Sequence, residues 1–127
     1  MQNIEHSKPV TTGDVVLVDF PFTDGSKSKV RPALVVRSDH HNSHYRMTIV
    51  AMLTSKTYRA KQGNPTMVLI DMSKPQERCS GLRGSGVVCC NRLFTLDGRA
   101  VIRKLGCLSS TTAERVRQSL KSSLGLS

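Results

Sequence analysis

The feature that most constrains the fold of this chain is a series of short β-branched runs separated by turn formers. The first run covers residues 14–20 and lies between Gly13 and Pro21. Proline ends such a run because it has no N–H to donate to a neighbouring strand. Runs of the same kind predict further strands at residues 33–36, 47–53, 66–70, 85–90 and 101–108. The chain is therefore predicted to be mainly β.

The C-terminal segment changes to the period of a helix. Apolar residues recur three or four positions apart, at Ala113, Val116, Leu120 and Leu124. This spacing places them on one helix face. Thr111-Thr-Ala-Glu114 matches a capping box, and Gly125 stands where such a helix would end. We expect a small, strongly bent sheet or barrel with this helix packed against it.

The length of 127 residues fits one domain. Residues 1–12 are polar and are assigned to an N-terminal tail, and residues 13–127 to a single domain. The N-terminus has no apolar segment of a secretory signal, and no apolar run approaches the roughly 20 residues of a membrane helix. We therefore expect a cytoplasmic protein without a membrane partner.

The formal net charge of +10 and the sequence pI near 10.0 favour an anionic partner. Such an excess attracts phosphate polyanions over a Debye length of about 8 Å at physiological salt. The alternative is a basic surface that only keeps the protein soluble. A membrane surface is disfavoured because the sequence has no basic amphipathic helix.

The four cysteines are Cys79, Cys89, Cys90 and Cys107. They include no C-x-x-C pair, and adjacent cysteines in a strand point to opposite faces. We expect buried, reduced thiols that pack as small hydrophobic groups. Neither a zinc site nor a disulfide framework is predicted.

Two predicted loops carry turn formers and basic residues. The first spans residues 22–30 and leads into Arg31-Pro32, where the proline biases Arg31 toward extended geometry at the start of a strand. The second spans residues 57–65. The basic residues in and beside these loops are Lys27, Lys29, Lys56, Arg59 and Lys61.

Four segments of the chain occur in an order and spacing typical of one protein family. They are Gly13-Asp-Val-Val-Leu-Val-Asp-Phe with the loop Thr23-Asp-Gly-Ser, then Lys29-Val-Arg-Pro-Ala-Leu-Val-Val36, Leu53-Thr-Ser55, and Asn91-Arg-Leu-Phe-Thr-Leu-Asp97 with Leu105-Gly-Cys-Leu-Ser109. Together, over roughly residues 13–124, they resemble the MazF/PemK family of type II toxin-antitoxin toxins. The resemblance implies an SH3-like small β-barrel with a C-terminal helix.

The same resemblance implies a function. Members of the family are homodimers and metal-independent, sequence-specific endoribonucleases that cut single-stranded RNA as mRNA interferases. A cognate antitoxin protein blocks the RNA groove, and the toxin-antitoxin complex binds DNA. We therefore expect a ribonuclease toxin with no cofactor and no metal. The alternative is a non-catalytic SH3-like binding toxin or module that acts on gyrase or nucleic acid, because fold alone does not separate the two.

Site residues follow from the matching motifs. Arg31 of the Arg-Pro pair and Thr54 of the Leu-Thr-Ser segment fall on the family's catalytic arginine and hydroxyl residue. Without the flanking motifs, each would be an ordinary residue at a strand end. The expected RNA-binding residues are Phe22, Thr23, Lys27, Lys29, Ser55, Lys56, Arg59, Lys61, Asn91 and Arg92. The open alternatives are a barrel-plugging ring for Phe22, solvated lysines, and a strand-end pair for Asn91 and Arg92.

The chemistry needs few groups, because the ribose 2′-hydroxyl of RNA is itself the nucleophile. A guanidinium binds phosphoryl oxygens in two-point fashion and keeps its charge. Arg31 would stabilise the phosphorane and protonate the leaving oxygen, and Thr54 would hydrogen-bond a non-bridging oxygen. Many relatives carry an acid just after the Gly-Ser of the first loop, where this chain has Lys27 and Ser28 and only Asp24 before them. The general base therefore stays open.

The sequence departs from the family at one further position. A glutamine common in the family is replaced by Arg92, so the RNA sequence preference does not carry over. His40, His41 and His44 suggest a second mechanism, either a metal site or acid-base chemistry. A solvated turn is the favoured interpretation of this polar run, since only Asp39 stands beside it as an acidic partner.

Overall fold

The computed structural model of the chain describes residues 10–21, 29–38 and 47–126, without the side chains of Ser38, Lys61 and Gln62. These residues form six strands and one α-helix. The strands are β1 (Asp14–Phe20), β2 (Lys29–Ser38), β3 (Met47–Thr54), β4 (Met67–Ile70), β5 (Gly86–Asp97) and β6 (Val101–Cys107), and the helix is α1 (Ser110–Ser123). Short 3₁₀ helices cover Thr57–Gln62, Pro75–Ser80 and Gly98–Ala100.

The six strands form one antiparallel sheet in the order β4-β5-β3-β2-β1-β6. The sheet bends within β5, because Met52 pairs with Cys89 whereas the preceding Ala51 pairs with Leu93. The intervening residues of β5 form a bulge, which bends a strand and increases its twist. The expected mainly β fold, a small barrel-like sheet followed by a helix, is confirmed. No helix among the described residues is long and apolar enough to cross a membrane.

Both faces of the central strands are buried. On one face Val15, Leu34 and Ala51 belong to a cluster that extends to Val116 of α1. On the other face a second cluster contains Val16, Val18, Phe20, Ala33, Val35, Val50 and Leu96. Residues of alternating parity enter the two clusters, as the period of a strand requires. Near-continuous apolar runs in β1 and β2 are thus explained by burial on both sides.

A buried polar cluster fixes the start of α1. Ser109 is the N-cap and accepts a hydrogen bond from the Thr112 N–H at 3.2 Å. The carboxylate of Glu77, only 4% exposed, accepts hydrogen bonds from Ser109 Oγ at 3.0 Å and from Thr112 Oγ1 at 2.8 Å. We call Glu77, Ser109 and Thr112 the helix anchor. A carboxylate at the positive end of a helix is favourable.

Several predictions at element boundaries are wrong. The capping box predicted at residues 111–114 lies inside the helix, because the helix anchor starts the helix at Ser110. Leu124 is 57% exposed and does not pack with the core, since the helix ends at Ser123. Gly125, with φ 72°, follows the end as expected. The predicted loop at residues 57–65 contains a 3₁₀ helix.

The cysteine prediction is half right. Cys89 and Cys90 are buried in β5, as expected, and burial raises the pKa of both thiols. Cys79 and Cys107 are exposed, contrary to expectation. Cys79 is the last residue but one of a short surface helix, and Cys107 is the last residue of the edge strand β6. Neither side chain is covered by a second layer.

Candidate active site

A cleft of about 560 Å³ opens beside the start of β2 and the end of β3. Its apolar lining consists of Leu17, Pro32, Leu53, Leu82 and Leu105. Its polar lining consists of Arg31, Thr54, Ser55, Arg83, Ser85 and Arg103. A volume of this size is typical of a small-ligand site. The described lining contains three arginines and no acidic side chain.

The two predicted catalytic residues, Arg31 and Thr54, both line this cleft. The β2–β3 pairing runs in one register from Leu34↔Ala51 to Ala33↔Met52 and ends there. Extending that register by two residues places Arg31 opposite Thr54. Pro32 explains the end of the pairing, because it has no N–H to offer β3. The β2–β3 pairing therefore ends just before these two residues.

Each of the two residues is positioned by the strand on its other side. Arg31 pairs with Val18 of β1, and Thr54 pairs with Val87 of β5. The Thr54 hydroxyl accepts a hydrogen bond from the Lys56 N–H at 3.2 Å. A hydroxyl has one donor and two acceptor sites. The bond to Lys56 orients the oxygen and leaves the hydroxyl hydrogen for a ligand.

Residues 81–86 form one wall of the cleft, and we call them the wall loop. At one end, Gly81 adopts φ 74° and packs so closely on β6 that a Cβ there would overlap the Leu105 carbonyl. At the other end, a Cβ on Gly86 would lie 3.3 Å from the Thr54 carbonyl oxygen. In between, Ser85 Oγ accepts a hydrogen bond from the Met72 N–H at 2.8 Å. The wall loop is thus fixed to both β6 and the end of β3.

Comparison with known proteins decides the family. Residues 11–124 match the family described as "PemK-like, MazF-like toxin of type II toxin-antitoxin system". The chain belongs to this family. It is 32% identical over 115 residues to a protein named Endoribonuclease MazF from Staphylococcus saprophyticus, with 90% of each chain covered.

Solved structures agree with this assignment. MazF from Deinococcus radiodurans superposes with a TM-score of 0.68 at 25% identity, covering 93% of this chain and 98% of that chain. MazF in a MazE-MazF structure from the same organism gives a TM-score of 0.66 at 26% identity, with 94% and 98% coverage. The expected MazF/PemK resemblance is confirmed, together with the fold that it implied.

Some of the predicted RNA-binding residues of this MazF/PemK-family chain lie in or beside the cleft. Ser55 lines it beside Thr54. Lys56 follows as an exposed residue, and exposed Lys29 stands two residues before Arg31. Phe22, Thr23 and Lys27 lie outside the described residues. The same holds for Asp24, Ser28 and Asp39 and for the histidines His40, His41 and His44.

A second part of the predicted set lies elsewhere, at the bend of β5. The positive charges of Arg59 and Arg92 oppose the rise that burial causes in the Cys89 pKa, which places both guanidinium groups near that thiol. Neither residue lines the cleft, and the side chain of Lys61 is not described. Asn91 and Arg92 are exposed within the β5 bulge. The alternative that they form a strand-end pair is wrong, because β5 continues to Asp97.

Two cleft arginines were missed by the sequence reasoning. Arg83 lies in the wall loop and Arg103 lies in β6. Neither belongs to a recognised motif. The pairing of β6 with β1 brings Arg103 to the cleft, and the contacts of the wall loop bring Arg83 there. Among the described residues, no group of three or more His, Cys, Asp or Glu side chains is arranged to hold a metal ion.

Proposed function

We propose that this chain, a member of a toxin family, is a metal-independent endoribonuclease that cuts single-stranded RNA and acts as an mRNA interferase. The observation that carries the proposal is that Arg31 and Thr54 line the same cleft, whose described lining contains three arginines and no acidic side chain. The 32% identical relative from Staphylococcus saprophyticus, named an endoribonuclease, supports the same activity.

The reaction is an internal transesterification. The ribose 2′-oxygen attacks phosphorus, a P–O2′ bond forms, and the P–O5′ bond breaks to leave a 2′,3′-cyclic phosphate and a 5′-hydroxyl. Arg31 binds the phosphoryl oxygens with its donor fork, which is pre-shaped for this geometry. Charge on these oxygens grows in the phosphorane, so a fixed guanidinium binds that state more tightly than the ground state.

One hydrogen bond and one proton transfer to the leaving oxygen accompany this step. Thr54 donates its free hydroxyl hydrogen to a non-bridging oxygen, since Lys56 already uses one of its acceptor sites. Arg31 supplies a proton to the departing 5′-oxygen. The described lining of the cleft has neither a carboxylate nor an imidazole to accept the 2′ proton. The 2′ proton therefore passes to solvent water, and Arg31 regains from solvent the proton that it gives to the 5′-oxygen. The proposal rests on charge stabilisation and assigns no general base.

The proposal extends to partners and location. The chain acts as a homodimer in the cytoplasm, and a cognate antitoxin covers the cleft. Structures of MazE-MazF from Deinococcus radiodurans and of a mycobacterial endoribonuclease with its cognate antitoxin support an antitoxin partner. A basic, acid-free cleft suits either an RNA backbone or an acidic segment that competes with it.

The test compares cleavage by the wild type and two single-arginine variants. Purified protein is incubated in chelator with a long, structure-poor RNA, and the fragment ends are mapped. We expect discrete cuts with 5′-hydroxyl ends, and Arg31→Ala should lower the rate by about 10²–10³-fold. Arg117→Ala is the matched control, because it removes the same charge from α1, where the side chain is 71% exposed.

Three results would contradict this function or its mechanism. A folded Arg31→Ala protein with wild-type activity removes Arg31 from the mechanism. Intact RNA with the wild type rejects the nuclease, and tight binding of gyrase or nucleic acid without cutting would instead support a binding toxin. Activity that disappears in chelator and returns with a divalent ion contradicts the metal-independent step.

A further inference from the structure

We infer that the inner part of the cleft is a nucleotide subsite, in which the apolar floor takes a base and the pair Arg83 and Arg103 binds a phosphate flanking the cut. This inference rests on the proposed ribonuclease function and adds a substrate contact to it. The two arginines line the cleft from the wall loop and from β6.

The strand register separates this pair from Arg31. Leu17 of β1 pairs with Pro32 on one side and with Arg103 on the other. Pro32 and Arg103 are thus two strand spacings apart, about 10 Å between backbones. In this inference Arg31 binds the reacting phosphate, and Arg103, on the other side of β1, binds a neighbouring phosphate of the same strand.

The close contact between Gly81 and Leu105 holds the pair together. Arg83 is two residues after Gly81, and Arg103 is two residues before Leu105. Two like charges are therefore fixed on adjacent backbone segments, an arrangement that a bound anion stabilises. The wall loop can hold this position because Gly86 anchors its other end beside Thr54.

Other basic residues of the surface have an acidic partner. Lys104, next to Arg103 on β6, lies 3.3 Å from the carboxylate of Asp14. Arg99 lies 3.0 Å from Asp97. Within the part of the chain that the structure describes, Arg83 and Arg103 have no such acidic partner. A phosphate would supply the charge that these two lack.

The apolar lining of the cleft, which we call its floor, suits a nucleobase. Leu17, Pro32, Leu53, Leu82 and Leu105 provide an apolar surface within a cleft of about 560 Å³. Every nucleobase has an apolar π-face that gains from leaving water, while its phosphate needs charged donors. The apolar floor therefore suits the base of a nucleotide, and the arginines suit its phosphate.

The test measures RNA binding, so that it does not depend on cleavage. The probe is a short 2′-fluoro RNA, which lacks the attacking hydroxyl, and affinity is measured against salt for the wild type, Arg83→Ala, Arg103→Ala and the control Arg117→Ala. Each cleft variant should bind roughly tenfold more weakly. Each should also lower the slope of log K against log salt by about 0.7, the share of one phosphate contact in single strands. The control should change neither quantity.

A second arm locates the phosphate and the base. A methylphosphonate, which is neutral, replaces one linkage of the probe at a time. One flanking linkage should weaken wild-type binding but cause no further loss in Arg103→Ala. An abasic nucleotide beside that linkage should also weaken wild-type binding, and an unchanged affinity there would reject the base-binding floor.

The outcomes separate this inference from the proposed function. RNA that is bound through Arg83 and Arg103 but not cut rejects the nuclease and keeps the subsite. RNA that is cut while both cleft variants bind like Arg117→Ala rejects the subsite and keeps the nuclease. If the wild type binds no RNA, the subsite and the nuclease function are both rejected. An acidic protein segment is then the expected occupant of the cleft.

Discussion

Two polar regions of this molecule use charge in opposite ways. At the helix anchor, the buried carboxylate of Glu77 has its hydrogen-bond donors inside the protein, from Ser109 and Thr112. At the cleft, the guanidinium groups of Arg83 and Arg103 are exposed and have no acidic partner among the described residues. The first arrangement is complete without a ligand, and the second is not.

The helix anchor and the cleft therefore contribute separately to stability and to function. Buried polar groups are costly unless all are paired, so the helix anchor contributes only to the folded state. Exposed arginines cost little when unpaired, so evolution can leave them for an external anion. Substitutions in the helix anchor should change stability, and substitutions in the cleft should change activity.

The largest effect is expected from Glu77→Ala. The change leaves the hydroxyls of Ser109 and Thr112 without their acceptor and opens a cavity under the start of α1. We expect a loss of about 2 to 4 kcal/mol in the free energy of unfolding, measured by urea denaturation. Cleavage per folded molecule should stay at the wild-type rate. A stable variant with reduced cleavage would reverse the roles assigned to the two regions.

Gly81→Ala tests the contact that joins the wall loop to the rest of the fold. A Cβ at Gly81 would overlap the Leu105 carbonyl, and φ 74° is strained for alanine. We expect a loss of roughly 1 to 3 kcal/mol in stability together with weaker RNA binding, because Arg83 moves with the wall loop. Gly84→Ala is the control, since a Cβ there meets nothing within 4 Å. Equal behaviour of the two variants would show that the wall loop is not held at Gly81.

How far the sequence predicts these regions depends on how local the signal is. The bounds of β1 are correct because Gly13 and Pro21 punctuate a run of β-branched residues. Motifs shared with the MazF/PemK family predict that Arg31 and Thr54 belong to one site, and in the structure both line one cleft. Their catalytic roles remain a prediction.

Signals that depend on the tertiary fold were missed. Residues 111–114 match a capping box as well as any sequence could, yet Ser109 is the N-cap because Glu77, far away in the chain, binds its hydroxyl. The bulge that places Arg92 in mid-strand appears only in the register of β3 on β5. Arg103 reaches the cleft only because β6 pairs with β1. Local patterns carry no information on such pairings.

Within the cleft, Thr54→Val separates the hydroxyl from the shape of the side chain. The variant removes the donor proposed for a non-bridging oxygen and the acceptor of the Lys56 N–H. We expect cleavage to fall roughly tenfold, the value of one hydrogen bond of about 1.4 kcal/mol to a charged group. Thr54→Ser keeps the hydroxyl and should retain most of the rate. If Thr54→Ser lost as much activity as Thr54→Val, packing rather than hydrogen bonding would explain the requirement for Thr54.

The smallest effect is expected at Asp71, a carboxylate that resembles Glu77 in its donors but differs in exposure. Its Oδ1 accepts hydrogen bonds from Ser73 Oγ at 2.7 Å and from the Ser73 N–H at 3.0 Å. These bonds lower the pKa of Asp71 from its ordinary value of 3.8. A lowered folded-state pKa adds stability above pH 3.8 that is lost as the pH falls through the folded value. Ser73→Ala should therefore lower Tm slightly above pH 3.8, and the difference from the wild type should shrink below it. A Tm difference that stays constant down to the lowest pH would mean that the Ser73 hydroxyl does not stabilise the charged carboxylate. Water would then replace the hydrogen bonds to exposed Asp71, whereas the buried carboxylate of Glu77 depends on donors from the protein.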